Sequence, residues 1–241
     1  MPGRHRGQQL PGRQCSVLRT VTGMSLDPLT AALPLSGEGW AGLTLADGSR
    51  WAVAGMDDYA SLVVARFREV TRAGAHPAGA GRLLLVSSSG KKRTAAMDGC
   101  RSLTGETVFC HLEPDEEEGA LDWHMRKILH AIVRDAQGRG GFLIHGALAE
   151  REGKGVILAG RSSVGKTTAS RRLSCPWRSL CDDTTLVLRD AGGSFWAHPW
   201  PTWGYVAEGR SGASWNVQRA VPLRSIFFLE QAGSLRVTPV G

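Results

Sequence analysis

The sequence predicts an α/β protein built on a mixed sheet with flanking helices. Short, continuously apolar runs bounded by Gly or Ser, such as 82–87 and 155–159, read as buried strands. Residues 121–136 place Leu121, Met125, Ile128, Leu129, Ile132 and Val133 on one helical face. Between the apolar run 155–159 and a further helical stretch lies a glycine-punctuated loop, 160–167, the strand-loop-helix order of a phosphate-binding unit.

Taken in order, Trp40 to Val53 reads as a hairpin, because Asp47-Gly48 separates two apolar runs. Residues 58–70 carry a moderate helical pattern, and 74–81 is a Gly/Ala/Pro connection. Arg82 to Ser87 is a strand, followed by Lys91-Lys92-Arg93 in a loop, and 107–112 is another strand. The acidic stretch 113–119 is a linker that precedes the 121–136 helix. Beyond it, 142–148 and 155–159 are strands, 168–173 is a helix, and 179–189 is one strand containing Cys181-Asp182-Asp183. Gly192-Gly193 turns into its hairpin partner, 194–198, and 224–229 is the last strand. The organisation read from this is a flexible basic leader over 1–26, an N-terminal α/β region over 27–118 and a nucleotide-binding core over 119–241.

Composition narrows the function classes. The 241-residue chain is 42% hydrophobic and 21% charged, an ordinary globular balance. It has no run of 18 apolar residues, which argues against a membrane-spanning helix. Of its net charge of +7, four charges are Arg4, Arg6, Arg13 and Arg19 in an acid-free leader, which leaves +3 for the rest. Only five of the 29 basic residues are Lys, so the Arg excess looks like coding bias and is weak support for a nucleic-acid partner. Cys15, Cys100, Cys110, Cys175 and Cys181 are odd in number, contain no CxxC pair and follow no secretory segment. That pattern points to a reducing, cytoplasmic compartment.

The loop Gly160-x4-Gly165-Lys166-Thr167 is a complete GxxxxGK[ST] motif. Its glycines let the backbone curl so that successive N–H groups point at one phosphate. Gly160, Ser162, Ser163, Val164, Gly165, Lys166, Thr167 and Thr168 are the expected nucleotide-binding residues. Lys166 would reach the β and γ phosphates, and the Thr167 hydroxyl would hold Mg²⁺. Sixteen residues after Lys166 come Asp182 and Asp183. Adjacent strand residues point to opposite faces, so one carboxylate can meet the nucleotide's metal while the other faces an acceptor. His145 precedes Gly146 at the end of the strand before the loop strand.

Together His145-Gly146, the loop and Asp182-Asp183 resemble the catalytic core of the HPr kinase/phosphorylase family, which shares its nucleotide site with phosphoenolpyruvate carboxykinases. The resemblance covers about residues 140–232. Val221 to Glu230 is similar to a strand of HPr-kinase-like proteins in peptide-modification clusters, the SynChlorMet cassette ScmC family among them. It implies a P-loop-containing PEP carboxykinase/HPr kinase-like mixed sheet, without the C-terminal helices usual there. It also implies ATP and Mg²⁺ as cofactors and a Ser/Thr hydroxyl of a peptide or small protein as acceptor. Asp182 would be the general base, Lys166 would act on the phosphates, His145 would tune the base or help hold a second metal, and Asp183 would assist Thr167 at the metal. Arg161 stands where the regulatory kinases carry an acidic or small residue.

Three readings follow from this pattern. One is a kinase, a second is a non-catalytic ATP-binding accessory protein, and a third is a generic P-loop NTPase. The third predicts a single Walker B Asp and an arginine finger, which the doubled Asp and the His-Gly pair do not match. Trp196, Trp200, Trp203 and Trp215 surround a Pro-rich stretch read as irregular, either a floor for a peptide or base or a hydrophobic cluster under a loop. Arg210 to Ser214 is a weak anion-binding turn. Oligomeric state is left open by the sequence.

Overall fold

The computed structural model describes residues 39–75, 81–88, 100–102, 106–114, 119–201, 214–234 and 236–239. The basic leader, Lys91 to Arg93, Trp203 and most of the Arg210 to Ser214 turn lie outside the described residues.

The first sheet contains β1 (Trp40–Thr44), β2 (Arg50–Gly55), β3 (Arg82–Ser87), β4 (Cys100–Ser102) and β5 (Thr107–His111), in the order β1-β2-β3-β5-β4. The hairpin expected at Asp47-Gly48 forms β1 and β2, and Gly48 takes the positive φ that the turn needs. β2, β3 and β5 run parallel. Parallel neighbours need a crossover, which α1 (Asp58–Thr71) supplies between β2 and β3. Val63, Phe67 and Val70 of α1 are buried with Met125, Ile128 and Ile132 of α2 (Ala120–Gly138). β4, three residues long, carried no apolar pattern from which to predict it.

Asp57 pins α1 to the sheet. Its carboxylate caps the helix by accepting from the Ala60 N–H at 2.9 Å, and it accepts from the Ser87 and Ser88 hydroxyls and the Ser88 N–H. Burial works against its ionised form, but these hydrogen bonds outweigh it and hold the carboxyl below its ordinary range. Gly55 lets the helix start close to β2. A Cβ there would sit 2.5 Å from the Ser61 N and 2.7 Å from its Cα. Gly55→Ala must therefore displace helix backbone, and a loss of about 1–3 kcal/mol is expected, read as a lowered urea midpoint.

Cys100 and Cys110 are direct cross-strand partners in β4 and β5 and are joined by a disulfide. This departs from the reducing environment suggested by the cysteine pattern. Spacing along the chain does not report which strands pair, and here pairing sets the two Cα atoms 4.1 Å apart.

The second sheet contains β6 (Phe142–Arg151), β7 (Lys154–Ala159), β8 (Arg178–Cys181), β9 (Thr184–Arg189), β10 (Phe195–Pro199) and β11 (Val221–Phe228). Its order is β7-β11-β10-β9-β6-β8, and β7 also pairs with β6, so five strands close a ring. β6 makes this possible by changing partners part-way. Phe142 to His145 pair with β9, and Gly146 to Arg151 pair with β7. Gly146 sits at the change. A Cβ on it would lie 2.7 Å from the Ile157 Cγ2. Both sheets are mixed, in line with the α/β class expected. No helix among the described residues is long and apolar enough to cross a membrane.

Two expectations are corrected here. The strand expected over 179–189 is two strands, broken at Asp182-Asp183. The Pro-rich stretch is less irregular than expected, since His198 and Pro199 finish β10. Trp200 and Trp215 are buried in the core, and Trp196 donates its indole N–H to Asp190 at 2.8 Å. The hydrophobic-cluster reading holds for Trp200 and Trp215.

His198 ties the sheets together. Its Nε2 accepts from the Ala46 N–H at 3.1 Å, so Nδ1 carries the proton and donates to the Val217 carbonyl at 2.7 Å. The ring is fully buried, and desolvation lowers its pKa despite the Val217 bond and the nearby Asp47 charge. The unfolded chain takes up a proton below about pH 6.5 that the folded chain resists, so stability falls as pH drops through that value. Urea midpoints at pH 5.5 and 7.5 should differ by less in His198→Gln than in the wild type.

Candidate functional site

The turn at Glu152-Gly153, both at positive φ, folds β7 back along β6. The register Gly146↔Ala159 then sets the end of β7, where the loop begins, beside the residue that follows His145. On the other side of β6, Leu148 pairs with Cys181 and His145 with Thr184. Asp182 and Asp183 lie between these paired residues, in the bend that separates β8 from β9. β6 thus has the strand leading into the loop on one side and the strands flanking the Asp pair on the other, which brings segments nearly forty residues apart in sequence alongside His145-Gly146.

The Asp182-Asp183 bend is held from inside. The Cys181 thiol donates to the Thr184 carbonyl at 2.9 Å, and the Thr185 hydroxyl donates to the Gly146 carbonyl at 2.9 Å. Burial pushes the Cys181 thiol pKa up, so it stays protonated and serves as a donor. The two carboxylates leave the bend toward different partners. Asp183 Oδ1 lies 3.3 Å from the His145 Nδ1, and Asp182 Oδ2 lies 3.5 Å from an Nη of Arg171. His145 is therefore partnered with Asp183, where the sequence reading had it tune the base Asp182 or help hold a second metal.

Arg171 is the last residue of α3 (Lys166–Arg171), which packs over β6 and β7. Sequence reasoning did not single it out. Its one signal was a cation one helical turn beyond the loop threonine.

The loop curls about Lys166. The side chain is almost fully buried, and its ammonium donates to the Gly160 and Arg161 carbonyls, each at 3.0 Å. Two of its three protons are used in this way. Gly160 has φ +149° and Gly165 φ +104°, values that favour glycine, and Ser163 is also at positive φ. A Cβ on Gly160 would come within 3.0 Å of the Leu229 carbonyl oxygen, whereas one on Gly165 would meet open space. Gly165 caps α3 without a side-chain hydrogen bond. Ser162, Ser163 and Thr168 are exposed, and Val164 and Thr167 are half-buried.

These residues fit a triphosphate. Glycines at the two positions where the backbone must turn, a buried ammonium with a spare proton and a half-buried threonine hydroxyl supply donors suited to phosphate oxygens. The fit to a metal is thinner. Among the described residues, no group of three or more His, Cys, Asp or Glu is placed to hold one. A metal here would need ligands from the phosphates themselves, which is usual for Mg²⁺.

The model of the SynChlorMet cassette protein ScmC family matches residues 108–241. The chain belongs to that family. The match runs from β5 to the last residue and takes in the whole second sheet with the loop and the Asp pair, more than half of the protein. A second similarity is to the macrolide export ATP-binding/permease protein MacB of Agrobacterium fabrum (strain C58 / ATCC 33970). It is 30% identical over an alignment of 99 residues that covers 35% of this ScmC-family chain. The chain spans only 15% of that relative's length.

Proposed function

We propose that this ScmC-family protein is an ATP-dependent phosphotransferase of the HPr-kinase-like type. It would move the γ-phosphoryl group to a Ser or Thr hydroxyl of a peptide or small protein in a peptide-maturation cluster. The observation that carries the proposal is the placement of His145-Gly146 on β6, between the strand that leads into the Lys166-centred loop and the Asp182-Asp183 bend, with Asp183 3.3 Å from His145. The same arrangement supports reading the second sheet as a variant of the PEP carboxykinase/HPr kinase-like core. The similarity to an ATP-binding/permease protein supports ATP as the nucleotide, and a cytoplasmic site of action belongs to the same proposal.

In the proposed reaction, the acceptor oxygen attacks the γ-phosphorus, the bond to the β–γ bridging oxygen breaks and ADP leaves. The hydroxyl proton passes to Asp182. Arg171, 3.5 Å from that carboxylate, faces it with a positive charge. Lys166 would turn from the loop carbonyls to the phosphates and offset the charge that collects on the leaving oxygens. Thr167 and Asp183 would hold a Mg²⁺ ion, which supplies neutralisation of the phosphate charge. His145 orients Asp183.

One observation favours a second reading, that of a nucleotide-binding accessory protein without transfer. Both carboxylates already have cationic or imidazole partners, and Asp182 is only 14% exposed. Incubation with γ-labelled ATP, Mg²⁺ and the precursor peptide of the cluster separates the two. Label on the peptide supports the kinase. Tight ATP binding with no label on the peptide selects the accessory role.

A further inference from the structure

β11 ends in two phenylalanines, Phe227 and Phe228, and the function proposed above makes no use of them. β11 runs parallel to β7 with Phe227 level with Leu158 and Phe228 level with Ala159, so both strands end at the same edge. The chain then continues along the loop. The Leu229 N–H donates to the Ala159 carbonyl at 2.8 Å, and the Gln231 side-chain amide donates to the Ser163 carbonyl. A phenylalanine is ordinarily buried, yet Phe228 is 66% exposed. It stands one residue from Leu229, whose carbonyl forbids any side chain at Gly160.

We infer that Phe228 is the stacking surface for the base of the nucleotide whose phosphates the loop holds. The inference rests on the nucleotide-binding reading above. A nucleotide held at one end by its phosphates presents a flat, weakly polar ring beyond its ribose. An exposed aromatic face bordering the phosphate site matches that ring in shape and polarity. Stacking of this kind tolerates any base and is lost when the aromatic ring is removed. Phe227 provides an internal comparison. It has the same chemistry but belongs to the opposite face of β11, level with Leu158, and is 39% exposed.

The test compares ATP with inorganic tripolyphosphate, which offers the phosphates without a base. Affinities are measured by calorimetry for the wild type, Phe228→Ala, Phe228→Trp, Phe227→Ala and Lys166→Ala. Phe228→Ala should weaken ATP about tenfold and leave tripolyphosphate unchanged, while Phe228→Trp retains ATP affinity. Phe227→Ala should change neither. An unchanged ATP-to-tripolyphosphate ratio in Phe228→Ala overturns the base assignment, as does a loss confined to Phe227→Ala. A wild-type dimer that becomes monomeric in Phe228→Ala with ATP affinity intact also overturns it, and makes the ring a contact between copies. Failure of the underlying reading has a different signature, in which the wild type binds neither ligand or Lys166→Ala binds both as the wild type does.

Discussion

Lys166→Ala is expected to weaken ATP binding by at least about a hundredfold while the protein stays folded. The ammonium is buried within the curl, and its present partners are the Gly160 and Arg161 carbonyls, each 3.0 Å away. Those neutral acceptors can be exchanged for phosphate oxygens, which carry full charge. Charged hydrogen bonds contribute about 1.5–3 kcal/mol each, so losing two of them gives a factor of a hundred or more. Folding should survive, because the two carbonyls belong to an exposed loop where water can replace the ammonium. Calorimetric titration with ATP, alongside circular dichroism, checks both parts. ATP affinity equal to that of the wild type would remove the loop from the nucleotide site.

Asp182→Asn should leave ATP affinity within about threefold and reduce phosphoryl transfer about 10²–10⁴-fold. Asparagine keeps the shape of the side chain but has no basic oxygen to take the hydroxyl proton. Loss of the Arg171 partner should cost less than about 1 kcal/mol, because that guanidinium is 57% exposed and the pair is screened by water. The measurement is the initial rate of label transfer to the acceptor peptide at saturating ATP. Transfer at the wild-type rate would exclude Asp182 as the base. Asp183→Asn should act differently, by freeing His145 and lowering the affinity for Mg²⁺-bound ATP relative to metal-free ATP.

Much of the site was legible in the sequence because its signals are local. A loop that must curl needs glycine where φ is positive, so Gly160 and Gly165 announce the curl by identity and spacing. The hairpin at Asp47-Gly48, the helix over 58–70 and the apolar strands 82–87 and 155–159 follow from turn chemistry, apolar periodicity and hydrophobic runs, which act within a few residues. The break in the strand over 179–189 was not legible. A continuous apolar run, Leu186 to Leu188, follows soon after Asp183, and only the pairing against β6 shows that the ladder lapses at the Asp pair.

Partnership was hidden for the same reason. The choice of Asp183 over Asp182 by His145 depends on which face of the bend each carboxylate leaves. The ion pair between Asp182 and Arg171 depends on where α3 ends above the sheet. The disulfide between Cys100 and Cys110 depends on β4, a three-residue strand with no hydrophobic signature. Trp200 and Trp215 looked equally suited to a binding floor and to a core until their burial was known.

The order of residues alone therefore determined that this protein contains a phosphate-type loop between a strand and a helix, with a histidine before it and paired carboxylates after it. Backbone conformational limits and hydrophobic periodicity are written residue by residue. Tertiary structure alone decided that these pieces flank one strand, β6, that the carboxylates part to different partners and that Phe228 at the end of β11 is exposed. Those facts arise from strand register and from the closure of β6, β7, β11, β10 and β9 into a ring. Register is a collective outcome of packing between segments far apart in the chain, and no single stretch encodes it.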